Sequence, residues 1–207
     1  MGRHTGPACK QCRREGAKLF LKGEKCYGAK CPFAKRPYAP GHQGENRKAR
    51  ISEFGLRLRE KQKARRVYGI GERQFRNYFE AANKSKGNTG GKLMELLERR
   101  LDNVLWRMAA ARSRAEARQT VRNGLLRVNG RKVTIPSFQV KPGDVLTFKE
   151  KYSGSLKKIL EGIKDRAVPA WVSFDGDKLE GKVVSVPKRE EIDALIEEHL
   201  IVEFYSR

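Results

Sequence analysis

Long apolar runs are missing from this 207-residue chain. Nowhere do about 18 apolar residues follow one another, so no membrane-spanning helix is expected and no membrane partner. The opening MGRHTGPACK has no apolar core of the kind a secretory signal needs, and the cytoplasm is the expected compartment. Gly2 suggests N-myristoylation, but position 6 is Gly where that motif requires Ser or Thr. Histidine is scarce: His4, His42 and His199 are scattered and none joins a ligand spacing. Cysteine stops at Cys31, so no disulfide framework runs through the chain. Acid is scarce too, with 24 Asp and Glu against 46 Lys and Arg.

That imbalance gives a net charge of +22 and an isoelectric point near 10.2, so the folded chain repels itself unless a polyanion screens it. A nucleic-acid partner is expected. Residues 1–50 carry 13 basic and 3 acidic side chains, 51–100 carry 13 and 6, and 101–150 carry 10 and 4. The last 57 residues carry 10 and 11 and are close to neutral. The first 150 residues are suited to phosphate, and the remainder is not.

The four cysteines form two short pairs, Cys9-x2-Cys12 and Cys26-x4-Cys31, separated by thirteen residues. Two such knuckles can aim four thiolates at one tetrahedral ion. In a reducing cytoplasm this outweighs two disulfides, so one zinc ion is expected, with an iron–sulfur cluster as the alternative that spacing does not separate. Four protein thiolates leave no open coordination position, which makes the expected role structural. RPYAPGHQG, residues 36–44, then reads as an extended linker.

Beyond the linker, Ser52 is an N-cap for a helix to about Val67, ended by Gly69 and carrying REKQKARR. A second helix follows Gly71, with Phe75, Phe79 and Ala82 on one face. Leu93, Leu97, Val104 and Met108 predict a third, longer helix from Thr89 to near Ala111. Ser113-x-x-Glu116 is a capping box for a fourth, with Gly124 as its stop. Arg114, Arg118 and Arg122 lie at i, i+4 and i+8 on it, one stripe of cations. Short apolar runs follow: 125–128, a turn at Asn129-Gly130, 131–135, 137–140, 145–149, 170–174 and 182–186 predict an antiparallel sheet. The turn at Asn129-Gly130 brings Arg131 and Lys132 toward the helical stripe, and the whole is expected to form one rigid cup of charge. KREEIDALIEEH at 188–199 reads as an acidic segment facing away from RNA, with an ordinary solvated helix as the alternative.

The stretch SRAEARQTVRNGLLRVNGRKV with the later VKPGD resembles the RNA-binding module shared by the small-subunit ribosomal protein S-four family, some pseudouridine synthases and some tyrosyl-tRNA synthetases. ERRLDNVLWRM, REKQKARRVYGIGERQFRNYFEAA and the ending VEFYSR are similar to the ribosomal family over nearly the whole length. The resemblance implies a monomer within the bacterial small subunit. It further implies early binding to the 5′ domain of small-subunit (16S) rRNA, so that assembly is nucleated, and a place near the path along which mRNA enters. Family members commonly have His after the turn Gly, whereas Leu125 follows Gly124 here.

On this resemblance the fold class is α+β. Residues 1–45 would be a four-cysteine metal-binding extension and linker, and 46–92 a small all-helical domain completed by 190–207. Residues 93–189 would be an RNA-binding module, with a core of about 99–163, in which helices pack beside the antiparallel sheet. Expected RNA contacts are Arg47, Lys48 and Arg50, then Arg57, Arg59, Lys61, Lys63, Arg65, Arg66 and Arg73, and finally Arg114, Arg118, Arg122, Arg131 and Lys132. Glu190, Glu191, Glu197 and Glu198 are the expected interface with the neighbouring protein S-five, a contact the resemblance links to decoding accuracy.

No catalysis is expected. Arg100-Leu101-Asp102 is similar to the catalytic motif of pseudouridine synthases, but it precedes the module and too little chain follows to build that catalytic domain. GNTGGK at 87–92 lacks the earlier Gly and the following Ser or Thr of a P-loop. A zinc-dependent DNA-binding protein is the remaining alternative.

Overall fold

The computed structural model describes residues 4–45, 51–163, 166–192 and 195–206. The chain divides into two compact units, Met1–Leu93 with Asp193–Arg207, and Met94–Ile192.

Unit 1 is helical. Helix α1 (Ala8–Glu15) ends at Gly16, whose φ of 65° supplies the left-handed cap, and α2 (Pro32–Lys35) is a single turn. Neither short helix is foreseen from the sequence. Helix α3 (Glu53–Val67) starts where Ser52 Oγ accepts from Gly55 N at 3.2 Å, and α4 (Glu72–Asn83) follows the turn at Gly69-Ile70-Gly71. Phe75, Phe79 and Ala82 are buried on α4, as their spacing predicts. Tyr205, on the last helix α9 (Glu198–Tyr205), stacks on Phe79 at 4.5 Å.

The helix predicted from Thr89 to Ala111 is two. Helix α5 (Thr89–Glu98) stops, Arg100 is extended (φ −67°, ψ 136°), and α6 (Leu101–Arg107) begins afresh. Arg100 grips the Asp102 carboxylate with both Nε (3.0 Å) and a terminal nitrogen (2.7 Å). Residues two apart do not face each other on a helix, so this pairing requires the break. The segment predicted as strand 137–140 fills the gap. Leu101 N donates to Phe138 O at 2.9 Å, Asp102 N to Pro136 O at 3.2 Å, and Val140 N to Arg99 O at 3.0 Å. Its backbone satisfies the helix junction and contributes only one isolated bridge, Arg100 to Gln139.

Helix α7 (Arg114–Arg122) leads into a five-stranded antiparallel sheet of order β2-β1-β3-β5-β4. The strands are β1 (Leu126–Val128), β2 (Arg131–Lys132), β3 (Val145–Phe148), β4 (Val172–Asp175) and β5 (Glu180–Val183). The predicted run 131–135 is shorter than expected, and the last two strands lie two residues from their expected starts. Helix α8 (Ser153–Gly162), not foreseen, buries Leu156 and Ile159. Alternation sorts the sheet: Leu126, Val128, Leu146, Val172 and Val183 join Leu101, Val104, Leu105, Met108, Ala117, Val121 and Trp171 in one core. Among the described residues, the segment 188–199 is not one helix. Arg189–Glu191 is one 3-10 turn, and α9 begins only at Glu198.

Candidate nucleic-acid interface

Local sequence builds the α7 and hairpin scaffold. Ser113 Oγ accepts from Glu116 N at 3.3 Å, while the Glu116 carboxylate accepts from Arg112 N at 2.7 Å, one residue earlier than a capping box has it. Asn129 (φ 48°) and Gly130 (φ 76°) both lie in the left-handed region that a tight two-residue hairpin needs. Asn129 also locks the neighbouring turn: its Nδ2 donates to Asp144 Oδ1 at 2.8 Å and its Oδ1 accepts from Val145 N at 2.9 Å. Gly124 is required twice over. Its φ is 62°, and a Cβ there would sit 2.5 Å from Lys132 Cε. The Lys132 stem therefore crosses the end of α7.

The expected five-cation cluster is distributed unevenly. Arg122, Arg131 and Lys132 are exposed and, among the described residues, have no carboxylate partner. Arg131 opposes Val128 and Lys132 opposes Arg127, so the two neighbours face opposite sides of the ladder. Arg114 is half-buried, with its guanidinium 3.7 Å above the Trp106 ring and Nε donating to Asn103 Oδ1 at 2.8 Å. Arg118 is buried and bonds Asp102 Oδ2 at 3.2 Å.

Two ion networks support that scaffold from inside. Asp102 is shared by Arg100 and Arg118, and Glu98 receives Arg107 through two bonds of 2.8 Å and Asn103 Nδ2 at 2.7 Å. Arg166 closes the α6–α7 elbow by donating to the carbonyls of Trp106, Ala111 and Arg112 at 3.3, 3.0 and 3.1 Å. Its guanidinium also lies 4.9 Å from the Trp106 ring.

Three cations escaped the sequence reading of the site. Arg127 lies outward on β1, and Lys149 and Lys151 follow β3. Partial desolvation, then the charges of Lys132, Lys151 and Arg127, hold the Lys149 pKa below the usual lysine range. The signal was present in the alternation Leu126-Arg127-Val128, which turns Arg127 away from the core.

The cations of α3 sit differently. Arg57 bonds Glu203 at 2.6 Å, Lys61 bonds Glu72 at 2.6 Å, Lys63 bonds Glu60 at 2.7 Å and Arg65 bonds Glu72 at 3.1 Å. Arg59 and Arg66 both pair with Glu15 of α1. Lys61 is buried and lies 4.6 Å from the Phe204 ring. Burial opposes the Glu72 carboxylate, but hydrogen bonds from Lys61 and Tyr205 and the charges of Lys61 and Arg65 outweigh it and lower its pKa. Burial raises the pKa of Glu15 despite Arg66 and Arg59. Arg73 is exposed, without a pair among the described residues. Arg47, Lys48 and Arg50 lie outside the described residues.

Cys12, Cys26 and Cys31 are buried thiols and Cys9 is partly exposed. Burial is the main cause raising the Cys12 and Cys26 pKa values, and the other cysteines add to it. The Cys26 sulfur also accepts from the backbone N–H of Lys22 at 3.3 Å. Such a donor suits a thiolate held by a cation. Among the described residues, however, no three His, Cys, Asp or Glu side chains stand together as a group that could hold a metal. Of the four acids, Glu190 and Glu191 belong to unit 2, where Glu191 caps Lys188 N at 3.0 Å, and Glu197 and Glu198 belong to unit 1.

No helix is long and apolar enough to cross a membrane among the described residues. Comparison with known families matches the ribosomal protein S4/S9 N-terminal domain over residues 3–98 and the S4 domain over 99–146. The chain is 55% identical over 209 residues to small ribosomal subunit protein uS4 of Desulforamulus reducens. It is 54% identical over 207 residues to that of Dictyoglomus turgidum and 56% over 209 to that of Heliobacterium modesticaldum. Each comparison covers the whole of both chains.

Proposed function

The chain belongs to the small ribosomal subunit protein uS4 family, and from that premise we propose that it is a structural constituent of the small ribosomal subunit whose unit 2 holds 16S rRNA. It acts in the cytoplasm, within that subunit, and is not an enzyme. The observation that carries the RNA reading is the α7 and hairpin scaffold with Arg122, Arg131 and Lys132 exposed and, among the described residues, without a carboxylate partner. Phosphate contacts by such groups release counterions, so affinity falls steeply with salt. Structured small-subunit rRNA should bind far more tightly than duplex DNA at equal salt, because A-form shape and 2′-hydroxyls are read as well as charge. Equal affinities would return the protein to the DNA-binding class. The pseudouridine synthase alternative has no support, since Asp102 is buried and held by two guanidinium groups.

Cys9, Cys12, Cys26 and Cys31 would hold one zinc ion, with an iron–sulfur cluster as the alternative. The backbone donor on the Cys26 sulfur and the burial of Cys12, Cys26 and Cys31 support this. Metal analysis of the purified chain decides it, and a protein that retains no metal ends the proposal. The ion would order residues 1–45, so Cys9→Ser with Cys12→Ser should release it and leave the melting of the remainder in place.

Direct rRNA binding as a monomer would let the protein nucleate assembly, with mRNA entering nearby. Glu190, Glu191, Glu197 and Glu198 would meet the neighbouring protein S-five, which affects decoding accuracy. Their reversal to Lys should alter miscoding while sparing rRNA affinity, and normal miscoding with normal binding of that neighbour would remove this contact.

A further inference from the structure

Cross-strand register arranges the open face of the sheet in rows. One row runs Lys132, Arg127, Thr147, Glu180, Asp175, through β2, β1, β3, β5 and β4 in turn. With strands about 4.8 Å apart, its ends are separated by about 19 Å. Charge therefore changes sign along it: two cations, one hydroxyl, two carboxylates. Lys149, two residues beyond Thr147, extends the basic side, and its N–H to Leu125 O bond of 3.0 Å keeps it in line with β1. The next row, Val145, Lys182 and Ser173, places one cation beside the acids.

Nothing among the described residues neutralises the basic half. Arg127 and Lys132 stand directly opposite each other, an arrangement of like charges that destabilises a strand pair. The opposite face of the same sheet is core. An uncompensated repulsion on an open, rigid surface is relieved by a polyanion.

We propose that this open face is a polarised RNA track, in which backbone phosphates lie along Lys132, Arg127 and Lys149 and are turned back at the Glu180 and Asp175 margin. The inference rests on the rRNA reading above and adds a surface to it. The acids set a boundary: phosphate shifted toward β4 meets repulsion in place of attraction, so the RNA has one favourable side of the sheet.

Salt-dependent binding of structured small-subunit rRNA to the full chain tests this. Arg127→Ala with Lys149→Ala should flatten the plot of log affinity against log salt by roughly one to two units, and Arg127→Lys should keep the slope of the unaltered protein. Lys157→Ala with Lys158→Ala removes the same charge from exposed positions on α8, whose buried residue Leu156 joins the core at the other face, and should flatten it less. Asp175→Asn with Glu180→Gln should tighten binding roughly threefold. An unchanged slope in the first variant, or equal flattening by the α8 variant, overturns the track. Unchanged affinity in the acid variant overturns its polarity. Failure of the rRNA reading is a separate result, seen as unaltered protein that does not distinguish structured rRNA from duplex DNA.

Discussion

Helix α3 and the β1–β2 hairpin are both dense in cations, yet their charges meet different surroundings. On α3, Arg57, Arg59, Lys61, Lys63, Arg65 and Arg66 each find a carboxylate, from Glu203, Glu15, Glu72 or Glu60. On the hairpin, Arg127, Arg131 and Lys132 find none among the described residues. A run such as REKQKARR thus has more cations in sequence than net charge in space. The shorter VNGRK carries fewer and leaves them all available. Counterion release follows the second quantity, so a solvated polyanion is expected to be drawn to the hairpin more than to the helix.

The largest losses are expected at the interior networks. Glu98→Ala would leave Arg107 buried without its carboxylate, and Asp102→Ala would do the same to Arg100 and Arg118. Each change is expected to cost on the order of 3–5 kcal/mol, because a buried charge loses its partner. Chemical denaturation of the full chain measures it, and a loss under about 1 kcal/mol would show that these pairs are not what holds α5, α6 and α7 together.

The two regions separate directly in paired variants. Lys61→Ala removes the bond to Glu72 and the contact with Phe204 and should destabilise by about 2 kcal/mol, with the salt slope of rRNA binding nearly unchanged. Arg122→Ala with Arg131→Ala should do the reverse, flattening the slope by somewhat under two units at unchanged melting temperature. If Lys61→Ala flattened the slope as much, α3 would be an RNA surface despite its ion pairs.

The smallest effect is expected at Glu72 on α4. The Glu72 carboxylate has a lowered pKa in the folded state, so its stabilisation is present above the pKa of the unfolded chain and is lost as pH falls through the folded value. Glu72 is 43% exposed, and solvent screening limits the loss to on the order of 0.5 kcal/mol. A Glu72→Gln chain should therefore show slightly less dependence of stability on pH across the acid limb than the unaltered one, and equal dependence would mean the pair is fully screened.

Much of the fold was legible because it is written in local chemistry. Ser52 and Ser113 cap, Gly69 and Gly124 stop helices, Asn129-Gly130 turns, and Phe75, Phe79, Ala82, Ala117 and Val121 mark buried faces. Beyond the short helices α1, α2 and α8, what failed was non-local. The stripe Leu93, Leu97, Val104, Met108 fits one helix or two, and only the junction with residues 136–140 decides for two. Arg114, Arg118 and Arg122 are equivalent by helical spacing. A distant Asp102, sixteen residues from Arg118, buries one of them, Trp106 covers another, and the third remains exposed.

By itself the sequence determined the class of partner, through the net charge of +22 and its restriction to the first 150 residues, and the local elements that present it. It could not determine which cations are left without a carboxylate beside them. Lys61 and Glu72 are eleven residues apart, Arg57 and Glu203 are 146 apart, and Arg127 and Lys132 oppose each other only through strand register. Ion pairing acts over a few ångströms of space, and tertiary structure alone sets which charges stand that close and which are left for phosphate.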